Sequence, residues 1–472
     1  MAGRATGRLT PLRRNRGFSL LFWATAGSAI GTYLAALALS VDVFDSTGSG
    51  EWLAALLIAD FLPIVVIGIA LGPLVDRLSR RRLMIVSDVV RAAVFVALPF
   101  LDRPVLIVVL AGINGIATGF FRPAAWAGFP NLVPEEDREQ ATSLLSTVEH
   151  VAWTLGPVIA GGMLALSGPD LAYWVNAATF VLSAALVARI PARSLRSDEP
   201  ITRGHWDDLR AGIGLVFRSR PLVTVLVAWN VSALATAFVN VAEVPFVKDD
   251  LGGGNIGLGV LVGATGVGLV IGSFFAASVL DRIGMRSLYA GSLLLMAIGF
   301  GAASVSPTLA VAAVLAAFAT LGNGAAIVCN QLLVQTGAPD AMRGRALAVL
   351  MSTYYGVLGI AMAAGGILVD AASARVAWAV AGGVYLLSTV IAFALMRAPA
   401  ENEAPAGMEV VQPTGLERIR TLMDEIDETR RREQEGTRSD VALAPPPKET
   451  RGGSVSDFES DALAGRRASV SD

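Results

Sequence analysis

Twelve apolar runs divide this chain, each roughly the 20 residues a helix needs to cross a bilayer. They centre on Ile30, Leu62, Val94, Gly115, Thr154 and Val181, then, after a charged gap, on Leu234, Gly268, Leu294, Leu321, Gly356 and Val384. Inside a bilayer every backbone polar group must be paired within the chain, so runs of this kind fold as helices. Composition agrees: 54% of residues are hydrophobic and 16% charged. The expected fold class is an all-α membrane protein with twelve transmembrane helices in two six-helix halves. Its parts read as an N-terminal arm (1–16), a first half (17–190), a polar linker (191–218), a second half (219–397) and a tail (398–472).

Charge sets the orientation. The tail holds 10 Lys/Arg and 16 Asp/Glu, and the remainder holds 27 and 23. With the N-terminus inside, the interior turns receive Arg77, Arg80, Arg81, Arg82, Arg138, Arg282, Arg286, Arg343 and Arg345. The exterior turns receive Arg103, Lys248 and Arg375. Arginine concentrates on the cytoplasmic side, so both termini and the linker are expected there, in a cell membrane. The first run, Phe18 to Val41, is too long for a signal-peptide core and reads as a retained helix. Cys329 is the single cysteine, which rules out an intrachain disulfide.

A repeat runs through the chain at an offset of 205 residues. The charged turn Gly72-Pro-Leu-Val-Asp76-Arg77-Leu-Ser-Arg80-Arg81-Arg82 returns, weaker, at Asp281-Arg282-Ile-Gly-Met-Arg286. Pro134, Arg138 and Ala141 return as Pro339, Arg343 and Ala346, and Gly119 returns as Gly324. One offset across several elements implies two halves of common design, an architecture found in transporters.

No Gly-rich phosphate loop, Cys/His cluster or nucleophile–base pairing is present, so no enzyme activity, cofactor or nucleic-acid partner is expected. What remains is acid–base chemistry inside the membrane. Asp60, Glu149 and Glu243 each fall within an apolar run. A charge at mid-bilayer costs on the order of 2.5–3.5 kcal/mol by insertion scales, so such a group faces a cavity or a partner. These three are the candidate proton-coupling residues; the competing reading is a structural hydrogen bond to a neighbouring helix. The glycine series Gly257, Gly259, Gly263, Gly266, Gly268 and Gly272 reads as close helix packing, compatible with a sliding contact between halves. In the tail, Leu416, Ile419, Met423 and Ile426 have the spacing of a short amphipathic helix near 415–435, a candidate for a protein partner. The rest of the tail has a disordered composition.

Together these residues resemble the major facilitator superfamily over about residues 17–397. Gly72, Asp76, Arg77, Arg80 and Arg81 match its loop motif between helices two and three. The stretches from Pro134 to Leu144 and from Pro339 to Leu350 are similar to those of enterobactin exporters and macrolide-efflux proteins. Gly156, Pro157 and Gly161 resemble the helix-five motif of drug–proton antiporters, with Ala160 where that motif has glycine. The fourth run lacks the intramembrane arginine of many such antiporters; Arg122 stands a turn further on. The resemblance implies docking of Asp76 on the start of helix eleven, near Arg345 and Ala346. It implies a secondary transporter that uses an ion gradient, protons, to export a small amphiphilic compound such as a drug or siderophore across the lipid bilayer. Two alternatives share the fold: a lipid or lysophospholipid transporter or flippase, and a transport-inactive membrane scaffold.

Overall fold

The computed structural model describes residues 10–70, 78–195, 205–339 and 342–396. Gly72, Asp76 and Arg77, and the amphipathic segment near 415–435, lie outside the described residues. After a short helical turn, Thr10–Arg14, come α1 (Arg16–Thr47), α2 (Gly50–Ala70), α3 (Arg80–Ala97), α4 (Pro104–Gly128), α5 (Arg138–Ser167) and α6 (Pro169–Ala188). A polar helix, α7 (His205–Arg218), follows. The chain continues as α8 (Arg220–Pro245), α9 (Gly254–Ser304), α10 (Leu309–Gly337), α11 (Arg343–Ala371) and α12 (Ala374–Leu395).

Local chemistry sets the boundaries. Proline stands in the first turn of α4, α6 and α8, where its missing N–H costs no helical bond. Gly48 ends α1 in the left-handed region (φ 63°), and its N–H bonds the Phe44 carbonyl at 2.7 Å. Thr308 and Ser373 cap α10 and α12 by accepting from Val311 N and Val376 N.

Ten helices among the described residues are long and apolar enough to cross a membrane. The expected turn at Asp281 to Arg286 is present as a sharp break between two helices. The stretch labelled α9 is two helices that meet at Gly284, whose backbone is non-helical (φ 77°). Both sides of that glycine can satisfy their backbone bonds in helix, so a single left-handed residue redirects the chain.

Packing repeats along the chain. In the first half α1 packs on α5 and α6, α2 on α4, and α3 on α4 and α6. In the second, α8 packs on α11 and α12, and α9 on α10 and α12. The repeat extends to single contacts. The Phe95 ring meets Phe180 at 5.8 Å and Tyr173 at 6.1 Å. The positions 205 later do the same: Phe300 meets Tyr385 at 5.7 Å and Trp378 at 5.4 Å. Arg81 donates to the Ala188 carbonyl at the end of α6. Arg286, also 205 later, donates to the Phe393 carbonyl near the end of α12 at 3.2 Å and stacks on the Phe393 ring. A guanidinium at a helix C-terminus answers the negative end of the helix dipole.

Helices α2 and α5 of the first half meet α11 and α9 of the second. Gly50 packs against Gly366 and Val369, and Gly161 against Gly259. Asn255 donates to the Leu164 carbonyl, and Lys248 pairs with Asp45 at 2.5 Å. These contacts lie toward the end of the molecule away from the arginine-rich turns.

Candidate functional site

Between the halves, five side chains from five helices converge. Arg122 of α4 and Glu149 of α5 approach to 3.4 Å. Arg122 is 49% exposed and Glu149 26%, so the pair lines a space instead of being sealed in a core. Tyr33 of α1 lies within electrostatic reach of Arg122, Glu149 and Tyr355. Tyr355 belongs to α11, and its ring meets Phe61 of α2 at 5.8 Å. Behind it Tyr354 packs on Trp229 of α8 at 5.0 Å, and Asn230 donates to Thr353 at 3.1 Å. Toward the arginine-rich end, Glu149 also lines a recess with Leu21, Thr25, Ala125, Trp126 and Leu145. A carboxylate, a guanidinium and aromatic rings around one opening can bind an amphiphile through charge and ring faces.

The glycines of the helix-five motif make this convergence possible. A Cβ at Gly156 would stand 2.8 Å from the Tyr33 Cβ and 3.2 Å from the Leu34 nitrogen, so α5 reaches α1 because that atom is missing. Gly161 performs the same service one turn on, against α9: a Cβ at Gly259 would stand 2.9 Å from the Gly161 Cα. The α5 helix runs unbroken through Gly156 and Pro157. The glycine series of α9 serves two neighbours. Gly259 and Gly263 face α5, whereas Gly268 and Gly272 face α10 within the second half.

Of the three intramembrane carboxylates, Glu149 reaches this site. Asp60 is held on one side by Asn114 of α4, which donates at 2.8 Å. Glu243, near the end of α8, has no hydrogen-bond or ion-pair partner among the described residues. Arg122 and Glu149 were each legible in sequence, but their pairing across two helices was not.

Two further charges escaped sequence reading. Asp88 and Arg91 of α3 form an ion pair of 2.5 Å, with side chains 0% and 4% exposed. The Arg91 guanidinium lies between the rings of Phe121 (4.4 Å) and Phe180 (4.2 Å). The signal was there: an acid and an arginine three apart on one helix face, inside an otherwise apolar run.

The arginines of the loop motif bind backbone. Arg80 donates to the Ala127 carbonyl at 2.9 Å and the Leu195 carbonyl at 3.1 Å, tying the start of α3 to the end of α4 and the linker. Asp281 and Arg282 are exposed. Arg343 donates to the Gln335 carbonyl at 2.9 Å, and Gly212 of α7 lies against the Arg345 carbonyl.

A family model described as transmembrane secretion effector, within the major facilitator superfamily (MFS), matches residues 6–416. The chain belongs to this MFS family. Among its relatives, an uncharacterised MFS-type transporter of Bacillus subtilis, YfiS, is 26% identical over 394 residues, covering 81% of this chain and 94% of that one. The multidrug efflux pump Tap of Mycobacterium tuberculosis is 27% identical over 375 residues, covering 76% and 88%. The putative bacilysin exporter BacE of Bacillus subtilis is 25% identical over 314 residues, covering 65% and 76%. The MFS fold is shared with solved structures. A bacterial homologue of the iron transporter ferroportin, in an inward-facing state, aligns with a TM-score of 0.65 at 16% identity, over 80% of this chain and 98% of that one. The nucleoside transporter NupG aligns with a TM-score of 0.61 at 15% identity, over 80% and 98%. This MFS chain is therefore a multi-pass membrane transporter whose relatives include efflux pumps.

Proposed function

We propose that this transporter exports a small amphiphilic compound, a drug-like or siderophore-like molecule, in exchange for protons. The observation that supports it best is the half-exposed Arg122–Glu149 pair, faced across the halves by Tyr355. Substrate and proton would compete for Glu149. A bound proton leaves Arg122 free, and a cationic or hydrogen-bonding substrate displaces that proton. The efflux function of Tap and the proposed export function of BacE favour outward transport.

The membrane architecture in this reading has twelve spans. It counts α9 as two, 254–283 and 285–304, and includes α5, whose outer part, Val158–Ser167, is apolar. Six spans precede the linker and six follow. The arginine-rich turns, both termini, residues 191–218 and the tail face the cytoplasm of a cell in whose plasma membrane the protein resides. The contacts around Gly50, Lys248 and Gly259 then close the exterior side. Asp76 and Arg77 with Gly72, and their counterparts Asp281 and Arg282, act at the cytoplasmic gate, with Asp76 docking on the start of α11.

The test is uptake of ethidium, an amphiphilic aromatic cation, into inside-out vesicles energised by an acid lumen. Wild-type protein should accumulate it, and Glu149→Gln should cut the initial rate about tenfold or more, the scale expected for loss of a proton-transfer group. Equal rates in the two would refute the role of Glu149.

A further inference from the structure

The twofold repeat supplies an internal control for the buried charges of α3. Phe95, Tyr173 and Phe180 surround one site, and Phe300, Trp378 and Tyr385 surround its equivalent 205 residues later. Where the first site holds Asp88 and Arg91, the second holds Leu293 and Met296, both buried. Asp60 and Asn114 correspond likewise to Thr265 and Ala319. The fold thus packs this position with apolar side chains when packing is all that is needed. An ion pair sealed among aromatic rings and away from water is a poor source of stability.

Three features connect the pair to Asp60. Arg91 lies within electrostatic reach of both Asp88 and Asp60. Asp60 is hydrogen-bonded to Asn114 on α4, the helix that also supplies Phe121 to the Arg91 cage. The network is also incompletely bonded: Arg91 Nε and Asn114 Oδ1 are buried without a hydrogen-bond partner. Buried polar groups left unpaired are costly, so their presence here calls for a reason beyond packing. Among the described residues, Arg91 is the charged group acting on Asp60, and Asp88 and Asp60 are those acting on Arg91. Arg122, on α4 with Asn114, faces Glu149 instead.

We propose that Asp88 and Arg91 are positioning residues for a proton site at Asp60, with Arg91 as its counter-charge and Asp88 as the anchor that holds Arg91 in place. On this assignment, Asp60 takes a proton while Arg91 remains with Asp88, and releases it as a carboxylate facing the guanidinium. The neighbouring Phe61 meets Tyr355 of the other half, so a change in charge at Asp60 occurs beside a contact that must shift when the halves move. This inference rests on the reading of the chain as a proton-coupled exporter.

The test copies the second half into the first. The double variant Asp88→Leu/Arg91→Met should fold, because its side chains fit the equivalent cage. Ethidium binding to the purified protein should stay within about twofold of wild type, since the pair lies outside the binding space. Export driven by a pH gradient should fall about tenfold near neutral pH, and its pH profile should move, because Asp60 has lost its counter-charge. Infrared difference spectra, with Asp60→Asn identifying the band, should show the Asp60 carboxyl titrating at a changed pH. An unchanged pH profile and an unchanged Asp60 band in the folded double variant would overturn the proposal. If the double variant does not fold, Asp88→Asn and Arg91→Lys decide by the same infrared titration: a moved Asp60 band supports the role and an unmoved one overturns it. If wild-type protein does not export ethidium, the export reading fails on its own, and the infrared titration still decides the role of Arg91.

Discussion

The Asp370 carboxylate accepts the Gly50 backbone N–H at 2.5 Å, joining the far end of α11 to the first residue of α2. It also accepts from Ser49 Oγ at 2.7 Å and from Glu51 N at 3.0 Å. One carboxylate thus serves the unpaired donors at a helix start, where the dipole favours negative charge. This latch spans the two halves at the end opposite the arginine-rich turns, beside the Lys248–Asp45 pair.

Removing the latch should open that end. Asp370→Ala is expected to cost the closed arrangement about 1–2 kcal/mol, the range for a lost cap with a favourable dipole contact. That shifts the closed-to-open ratio by about 5- to 30-fold. Spin labels at Ser46 and Ala372, in a Cys329→Ala background, should report a larger population of long distances. An unmoved distribution would remove Asp370 from the gate.

The glycine contact makes a sharper steric prediction. Gly259→Leu should block the approach of α5 and α9 and lower transport severely, because its Cβ alone would meet the Gly161 backbone. Gly291→Ala is the control: it lies in the helix beyond the Gly284 break, and a Cβ there meets nothing within 4 Å. It should keep full transport and gain about 0.4–1 kcal/mol of stability by restricting the unfolded chain. Thermal unfolding and ethidium transport measured on both variants check the pair.

The repeated arginines should behave as equivalents. Arg81→Ala and Arg286→Ala each remove a guanidinium from a helix-end carbonyl. Each should destabilise by about 1 kcal/mol, and the double variant by their sum, since distant sites add. Arg82, exposed, should tolerate alanine with little change. A cost confined to one of the two would show that the contacts are not equivalent.

Much of this was legible in the sequence. The 205-residue offset was legible, and it extends in the structure to contacts the sequence did not announce, Phe95–Phe180 and Phe300–Tyr385. The break between residues 254–283 and 285–304 was legible in place but not in form. Polarity in Asp281–Arg286 signals an exit from the membrane, but polarity alone does not distinguish a loop from two helices that meet at one glycine. Asp88 and Arg91 were hidden by the apolar residues around them, and the Arg122–Glu149 pair by the 27 positions that separate its members in sequence. The latch of Asp370 was invisible for the same reason, since its partners are more than 300 residues away.

Orientation is tested by accessibility. In the Cys329→Ala background, cysteines at Asp102 and Ala372 should react with an impermeant maleimide applied to intact cells, and a cysteine at Arg193 should react after lysis. The opposite pattern would invert the assignment of the arginine-rich face to the cytoplasm.

Proton coupling is tested most directly by proton movement itself. Purified protein is reconstituted into liposomes that contain a pH-sensitive dye, with no pH gradient imposed, and ethidium is added outside. The expected result is a change in lumenal pH that begins with ethidium entry, is abolished by a proton ionophore, and falls about tenfold in Glu149→Gln. Ethidium entry through the wild-type protein with no accompanying proton movement would contradict proton-coupled export.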